Sequence, residues 1–181
     1  MTRRTPAPLR EVLGLTFEPA QVGAMVGFGA VLAAAVLASP GLDALPAWRL
    51  VLGAVLTADI GAGCLSNFTA STNRYYAERP RLRWAFIAAH VHLLVVAWAL
   101  GWPIVPALVL WGWTVGAAAL VNLLAGHASQ RLVAGGLFAL SLLAPLGLAM
   151  PIPMQVVAAL FTLKVAYAFA VRHEPVGFPP A

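Results

Sequence analysis

Six apolar stretches, each close to the length that a helix needs to cross a bilayer, follow one another along this chain. A transmembrane helix needs about 20 predominantly apolar residues. The stretches cover residues 21–39, 47–66, 84–100, 104–124, 132–150 and 154–171. Lipid offers no hydrogen-bond partner to an open backbone, and the alternation of membrane-barrel strands is missing, so the stretches must be helical. The sequence therefore predicts an all-α integral membrane protein, a single bundle of six transmembrane helices.

Composition supports the membrane class and excludes a water-soluble fold. Of the 181 residues, 61% are hydrophobic and only 9% are charged, whereas a soluble domain has about 25% charged residues. The net charge of +5 does not indicate a nucleic-acid partner, because arginines at the ends of membrane spans account for it. Arginine far outnumbers lysine and alanine is abundant, which is typical of GC-rich coding. We therefore expect a bacterial plasma (inner) membrane protein.

The distribution of arginine predicts the orientation in the membrane. If the N-terminus is inside, every arginine except Arg49 lies on the cytoplasmic side, as the positive-inside rule requires. Residues 1–18 then form a cytoplasmic N-terminal segment, in which residues 8–17 are expected to lie along the interface. Residues 19–172 form the six-helix transmembrane domain, and residues 173–181 form a short tail. Both termini are predicted to be cytoplasmic, and proline-rich turns predict a tight outer face.

Three ionisable residues fall at a similar depth in the cytoplasmic half of the predicted bundle. At 1.5 Å per residue, Asp59, His90 and Lys164 lie about 9–12 Å inside the cytoplasmic ends of their spans. A charge near the centre of an isolated span costs on the order of 2.5–3.5 kcal/mol, so opposite charges at one depth are expected to meet. We predict that Asp59 pairs with Lys164 and that His90 shares their network.

Helical spacing adds polar residues to this predicted cluster. Asn67 lies on the same face of its span as Asp59, Tyr167 follows Lys164 by three residues, and Asn122 ends a similar stripe in the fourth span. The alternative interpretation of Asp59 and Lys164 is a structural ion pair that fixes the helix register. The complete set of candidate substrate or proton sites is Asp59, His90, Lys164, Tyr167, Asn67, Asn73 and Asn122.

The third span contains two histidines, His90 and His92. On a regular helix, side chains two residues apart point roughly 160° away from each other, so both cannot ligate one metal and no metal site is predicted. The alternative interpretation of His90 is a core histidine that bonds a neighbouring carbonyl. No cofactor is predicted, and haem is the disfavoured alternative because a bis-histidine site would need a second intramembrane histidine. The single cysteine, Cys64, excludes a disulfide within the chain.

The connection between the second and third spans combines hydrogen-bonding side chains with closely spaced arginines. Polar residues are frequent over residues 67–76. The positive-inside rule alone explains the arginines, but a donor-rich loop followed by arginines also fits an anionic headgroup or a phosphate. The predicted partner is a bilayer with anionic headgroups at its cytoplasmic face. The candidate headgroup ligands are Arg74, Arg79, Arg81 and Arg83.

Three functions are compatible with these features. The favoured one is a transporter or permease-type subunit for a small solute, in which protonation of Asp59 or His90 gates exchange. Six short spans make a thin bundle, so a homo-oligomer or a partner subunit is expected. The second is a membrane enzyme acting on a lipid-like substrate, with the same two residues as general acid or base. The third is a non-catalytic accessory protein. The sequence contains no recognised nucleotide-binding or hydrolase motif. It therefore does not decide whether the chain is an enzyme.

Overall fold

The structure is a computed structural model and describes residues 2–173. Two short strands, β1 (Arg3–Arg4) and β2 (Thr16–Phe17), pair in antiparallel orientation, and most of the remaining described residues are helical. Apart from His173, the predicted tail of residues 173–181 lies outside the described residues. The helices are α1 (Arg10–Leu13), α2 (Pro19–Leu37), α3 (Ala47–Ser66), α4 (Ala70–Ala77), α5 (Pro80–Ala89), α6 (His92–Ala99), α7 (Ile104–Leu123), α8 (Gln130–Ser141) and α9 (Ile152–Thr162), which continues as a π-helix over Leu163–Phe169.

Five helical segments are long and apolar enough to cross a membrane. They are Pro19–Leu37, Ala47–Ser66, Pro80–Ala99, Ile104–Leu123 and Ile152–Phe169. These segments correspond to predicted spans one, two, three, four and six, and the prediction of a helical membrane protein is confirmed.

The predicted fifth span, residues 132–150, is shorter in the structure than the sequence suggests. It corresponds to α8 with a following turn, together Gln130–Leu146, a segment that is apolar but shorter than the five long ones. Pro145 lies in the 3₁₀ turn that follows α8, where proline has no amide hydrogen to continue an α-helix. Six membrane spans therefore stay a prediction.

The last helix is the most buried of the five long segments. Along α9 and its π-helical continuation, Met154, Val157, Phe161 and Val165 are fully buried. This continuous helix packs against α3, α6, α7 and α8. Because the other helices surround it, any polar side chain that it carries must find its partner within the bundle.

Helix α2, by contrast, lies at the periphery and packs mainly on α3. The two helices approach closely at Gly29, where an added Cβ would lie 2.5 Å from the carbonyl oxygen of Ala58. Small residues allow such contact between membrane helices. The opposite face of α2 is left exposed, with Val26 and Val31 among its exposed side chains.

The N-terminal segment folds back onto α4. The hydroxyl of Tyr76 donates to the carbonyl of Glu11 over 3.0 Å, and the hydroxyls of Ser66 and Thr72 both donate to the carbonyl of Val12. Burial raises the pKa of the Tyr76 phenol above its usual value, so the hydroxyl stays protonated and able to donate. Part of the polar run over residues 67–76 therefore holds the N-terminal segment.

Candidate functional site

The ion pair predicted between Asp59 and Lys164 is present in the structure. Lys164 Nζ lies 2.6 Å from Asp59 Oδ2, and it also donates to the backbone carbonyl of Asp59 over 3.3 Å. The pair joins the middle of α3 to the π-helical end of the last helix, over a sequence separation of 105 residues. Asp59 and Lys164, which were predicted to pair because they lie at a similar depth, therefore meet in space.

A gap in the surface of α3 accommodates the lysine side chain. A Cβ at Gly63, one turn from Asp59, would overlap the Cε atom of Lys164. Further along the same face, Asn67 Nδ2 donates to the backbone carbonyl of Lys164 over 3.2 Å. Asp59 and Asn67 therefore both contact Lys164, one at its side chain and the other at its backbone.

The third long segment is broken at His90 and Val91, and the break brings His92 to the ion pair. Helix α5 ends at Ala89 and α6 begins at His92. As a result His92 Nε2 lies 3.7 Å from Asp59 Oδ2, and the rings of His90 and His92 are 5.1 Å apart. The prediction that the two histidines point in opposite directions is therefore wrong, because it assumed a regular helix.

The atoms freed by this break find partners within the bundle. His90 is buried, and its Nδ1 lies 2.5 Å from the carbonyl of Phe86. Because a carbonyl only accepts, the ring must carry a hydrogen on Nδ1. The carbonyl of His90 in turn accepts from Trp111 Nε1 over 2.9 Å. The ring of His90 lies close to that of His92, but the hydrogen bonds of His90 stabilise the helix break. A shared network of His90 with the ion pair stays a prediction.

The four residues Asp59, His90, His92 and Lys164 form what we call the lateral cluster, because it opens at the side of the bundle. The side chain of Asp59 is 45% exposed and that of Lys164 only 4%. His92 is intermediate, and its Nδ1 is a buried atom without a hydrogen-bond partner among the described residues. The structure therefore places the carboxylate on the lateral surface of a single chain.

Tyr167 belongs to a different group of side chains. Its ring lies 6.2 Å from that of Phe68 and 6.1 Å from that of His173. Three residues make almost one turn of an α-helix, but the backbone between Lys164 and Tyr167 is π-helical, with more residues in each turn. The stripe that the sequence suggests is therefore not maintained at this point.

A second polar cluster, the Arg83 clamp, covers the carbonyl end of the last helix. Arg83 Nε donates to Asn122 Oδ1 over 2.6 Å, and its Nη2 donates to the carbonyls of Phe169 and Ala170 over 2.8 and 2.7 Å. Gln130 Nε2 also donates to the carbonyl of Ala170, over 3.1 Å. The clamp comprises Arg83, Asn122, Gln130 and Asn73, whose Nδ2 donates to the carbonyl of Val171 over 3.1 Å.

The predicted headgroup ligands differ in exposure, because one of them belongs to the clamp. Arg83 is only 2% exposed, whereas Arg74 and Arg81 are exposed. Arg79 pairs with Glu78 over 3.4 Å, and its guanidinium lies 4.2 Å from the ring centre of Tyr75. A headgroup role for these arginines stays a prediction, but only the exposed ones offer their charge to the membrane surface.

Two residues of these clusters, Gln130 and His92, were not predicted from the sequence. A glutamine near the start of an apolar segment that must reach the core is a detectable signal. No signal for the helix break that brings His92 to the lateral cluster is evident in the alanine-rich sequence around it. Within residues 2–173, no three His, Cys, Asp or Glu side chains are grouped closely enough to hold a metal ion.

Comparisons of the chain with models of known protein families, with characterised proteins and with solved structures found no match. The class of protein therefore follows from the fold alone. Five helices long and apolar enough to cross a membrane define a multi-pass membrane protein. It contains an ion pair whose carboxylate is exposed at the side of the bundle, with two histidines close to it.

Proposed function

We propose that this chain is a subunit of a proton-linked membrane transporter for a small solute. The observation that carries the proposal is the break of a membrane-crossing segment at His90 and Val91 next to the ion pair of Asp59 and Lys164. Helices interrupted at membrane depth are typical of transporter binding sites, where the free helix ends face the solute or the coupling ion. Ionisable residues are costly to place within membrane helices, and those that are present mark proton and substrate paths.

The lateral cluster supports proton linkage through its charge balance. When Asp59 is ionised, it neutralises the buried ammonium group of Lys164. Uptake of a proton by Asp59 would leave Lys164 as a buried cation without a counter-charge, a state that favours rearrangement or solute binding. His92, 3.7 Å from the same carboxylate oxygen, is a second group able to accept or donate a proton. Protonation would thus change the stability of one helix arrangement relative to another.

The proposal includes an orientation in the membrane. We infer six spans in the plasma membrane with both termini in the cytoplasm, because this arrangement places all arginines but Arg49 on the inner side. The lateral cluster then lies in the inner half of the bundle. The alternative of a lipid-modifying enzyme has less support, since Arg83, one of its proposed headgroup ligands, donates its hydrogen bonds within the bundle.

A vesicle assay tests the proposal. The protein is reconstituted into vesicles that enclose a pH-sensitive dye, and small organic anions, cations and neutral solutes are added outside, one at a time. A solute coupled to protons changes the internal pH with the wild-type protein. We expect Asp59→Asn to abolish this response, because the substituted amide takes up no proton in the physiological range.

Asp43→Asn is the matched control, since Asp43 is an exposed carboxylate in the connection between α2 and α3. We expect this variant to keep the full response. A response that Asp59→Asn retains, or the absence of a response to every solute with folded wild-type protein, would contradict the proposal.

A further inference from the structure

Four exposed residues of α3 form one continuous stripe that ends at the acidic member of the lateral cluster. Trp48, Val51 and Val55 are 57%, 62% and 60% exposed, and Asp59 follows as the next residue of the series. Their spacing of three, four and four residues places all four on one face of the helix. The stripe therefore carries an apolar surface with one carboxylate at its inner end.

Helix α6 extends the same surface at both ends. The ring centres of Trp48 and Trp98 are 5.7 Å apart, and Trp98 is itself exposed. At the inner end, His92 Nε2 lies 3.7 Å from Asp59 Oδ2. Because both ends of α6 contact the stripe, the two helices present one surface. We call it the α3–α6 face, and its residues are Trp48, Val51, Val55, Asp59, His92 and Trp98.

An apolar face suits lipid, but a half-exposed carboxylate does not. Ionised side chains within membrane helices almost always face the interior of a bundle or a water-filled cavity, because exposure to hydrocarbon is costly. The outer face of α2 shows the contrast, since the segment Pro19–Leu37 contains no charged residue. Of these two exposed faces, only the α3–α6 face carries a charge that needs cover.

We propose that two copies of this chain associate through their α3–α6 faces. A two-fold interface brings the same patch of both copies together, so the patch must be complementary to itself. The α3–α6 face meets this requirement, because it carries an acid, Asp59, beside a base, His92. In the pair, Asp59 of each copy faces His92 of the partner subunit, and the valines and tryptophans pack around them. The lateral cluster is then enclosed between two copies.

The proposed dimer depends on the exposed carboxylate and not on transport. Either the dimer or the transport function can therefore be contradicted while the other holds. The oligomeric state is measured in lipid nanodiscs by native mass spectrometry and in vesicles by counting photobleaching steps of singly labelled chains. We expect the mass of two copies for the wild-type protein. Val55→Trp, which places a bulky ring in the centre of the face, is expected to yield the mass of one copy.

Val31→Trp is the matched control, because Val31 is equally exposed on the outer face of α2, and it is expected to keep two copies. Cysteine cross-linking in native membranes gives a second readout that does not depend on the tryptophan variants. Val55→Cys should allow a disulfide to form between chains, while Val31→Cys, or the buried Cys64 of the wild-type chain, should not. A wild-type protein with the mass of one copy, or cross-links at position 31 and not at position 55, would overturn the inference.

Discussion

The lateral cluster and the Arg83 clamp both bury a cation in membrane-crossing segments, but different groups accept hydrogen bonds from the cation in each. Lys164 is balanced by the carboxylate of Asp59, which is half exposed on the side of the bundle. Arg83 donates instead to the backbone carbonyls of Phe169 and Ala170 and to the side-chain oxygen of Asn122, and none of the ion pairs among the described residues includes it.

This difference separates a structural site from a candidate functional one. The last carbonyls of a helix lack intrahelical partners, and a cation near them also interacts favourably with the helix dipole. The clamp meets both needs with buried donors. The lateral cluster contains a carboxylate and imidazoles that can exchange protons, and its acidic member is accessible. We therefore expect the clamp to contribute stability, and the lateral cluster is the candidate for the proposed chemistry.

Arg83→Gln should have the largest effect on stability. It removes the donors to two helix-end carbonyls and to Asn122, and hydrogen bonds from charged groups contribute roughly 1.5–3 kcal/mol each. We expect a loss of about 3 kcal/mol in the free energy of unfolding, measured by thermal or denaturant unfolding in detergent. Arg81→Gln, an exposed position on the same helix, is the control and should change stability little. An equal loss at both positions would contradict the structural assignment of the clamp.

The ion pair should show a smaller and unequal effect. Asp59→Asn leaves the buried Lys164 without a counter-charge and should cost about 2 kcal/mol, less than for a fully buried pair because the carboxylate is half exposed. Lys164→Met should cost less, since Asp59 keeps its exposure and its contact with His92. The double variant should recover part of the loss from Asp59→Asn, and a double-mutant cycle of unfolding free energies measures the coupling. Strictly additive losses would show that the two side chains do not interact.

Much of the fold could be predicted from the sequence, because lipid leaves few alternatives. Apolar length and the need to pair every backbone group identify the long helices. The short α8 could not be predicted in the same way, since hydropathy does not report where a helix gives way to a turn. The docking of the N-terminal segment on α4 was also missed, because it depends on backbone carbonyls of Glu11 and Val12, which no side-chain pattern reveals.

In the candidate site, only the contact between residues at the same depth in the membrane could be predicted from the sequence. Asp59 and Lys164 could be matched because two opposite charges at one level in lipid have a strong reason to meet. His92 could not, because its position depends on a helix break stabilised by hydrogen bonds from distant residues such as Trp111. Which side of a bundle faces a partner is likewise a property of the packed helices, so the exposure of Asp59 became visible only in the structure.

The smallest expected effect concerns pH and His173, which lies beside the clamp and outside the membrane-crossing segments. Burial lowers the pKa of His173 below its usual value, and the positive charge of Arg131 acts in the same direction. The backbone amide of His173 donates to Asn73 Oδ1 over 3.2 Å. Loss of this hydrogen bond would loosen the clamp. Because the folded state disfavours the proton, the contribution of His173 is complete above the unfolded pKa of about 6.5 and is lost as the pH falls below it.

We therefore expect acidification from about pH 7.5 to about pH 5 to reduce stability through this residue. The measurement compares unfolding of the wild-type protein with His173→Gln, which should show a flatter pH profile. His127→Gln, at an exposed position after α7, should keep the wild-type profile. If His173→Gln instead leaves the pH dependence unchanged, His173 does not contribute to it and this prediction is wrong.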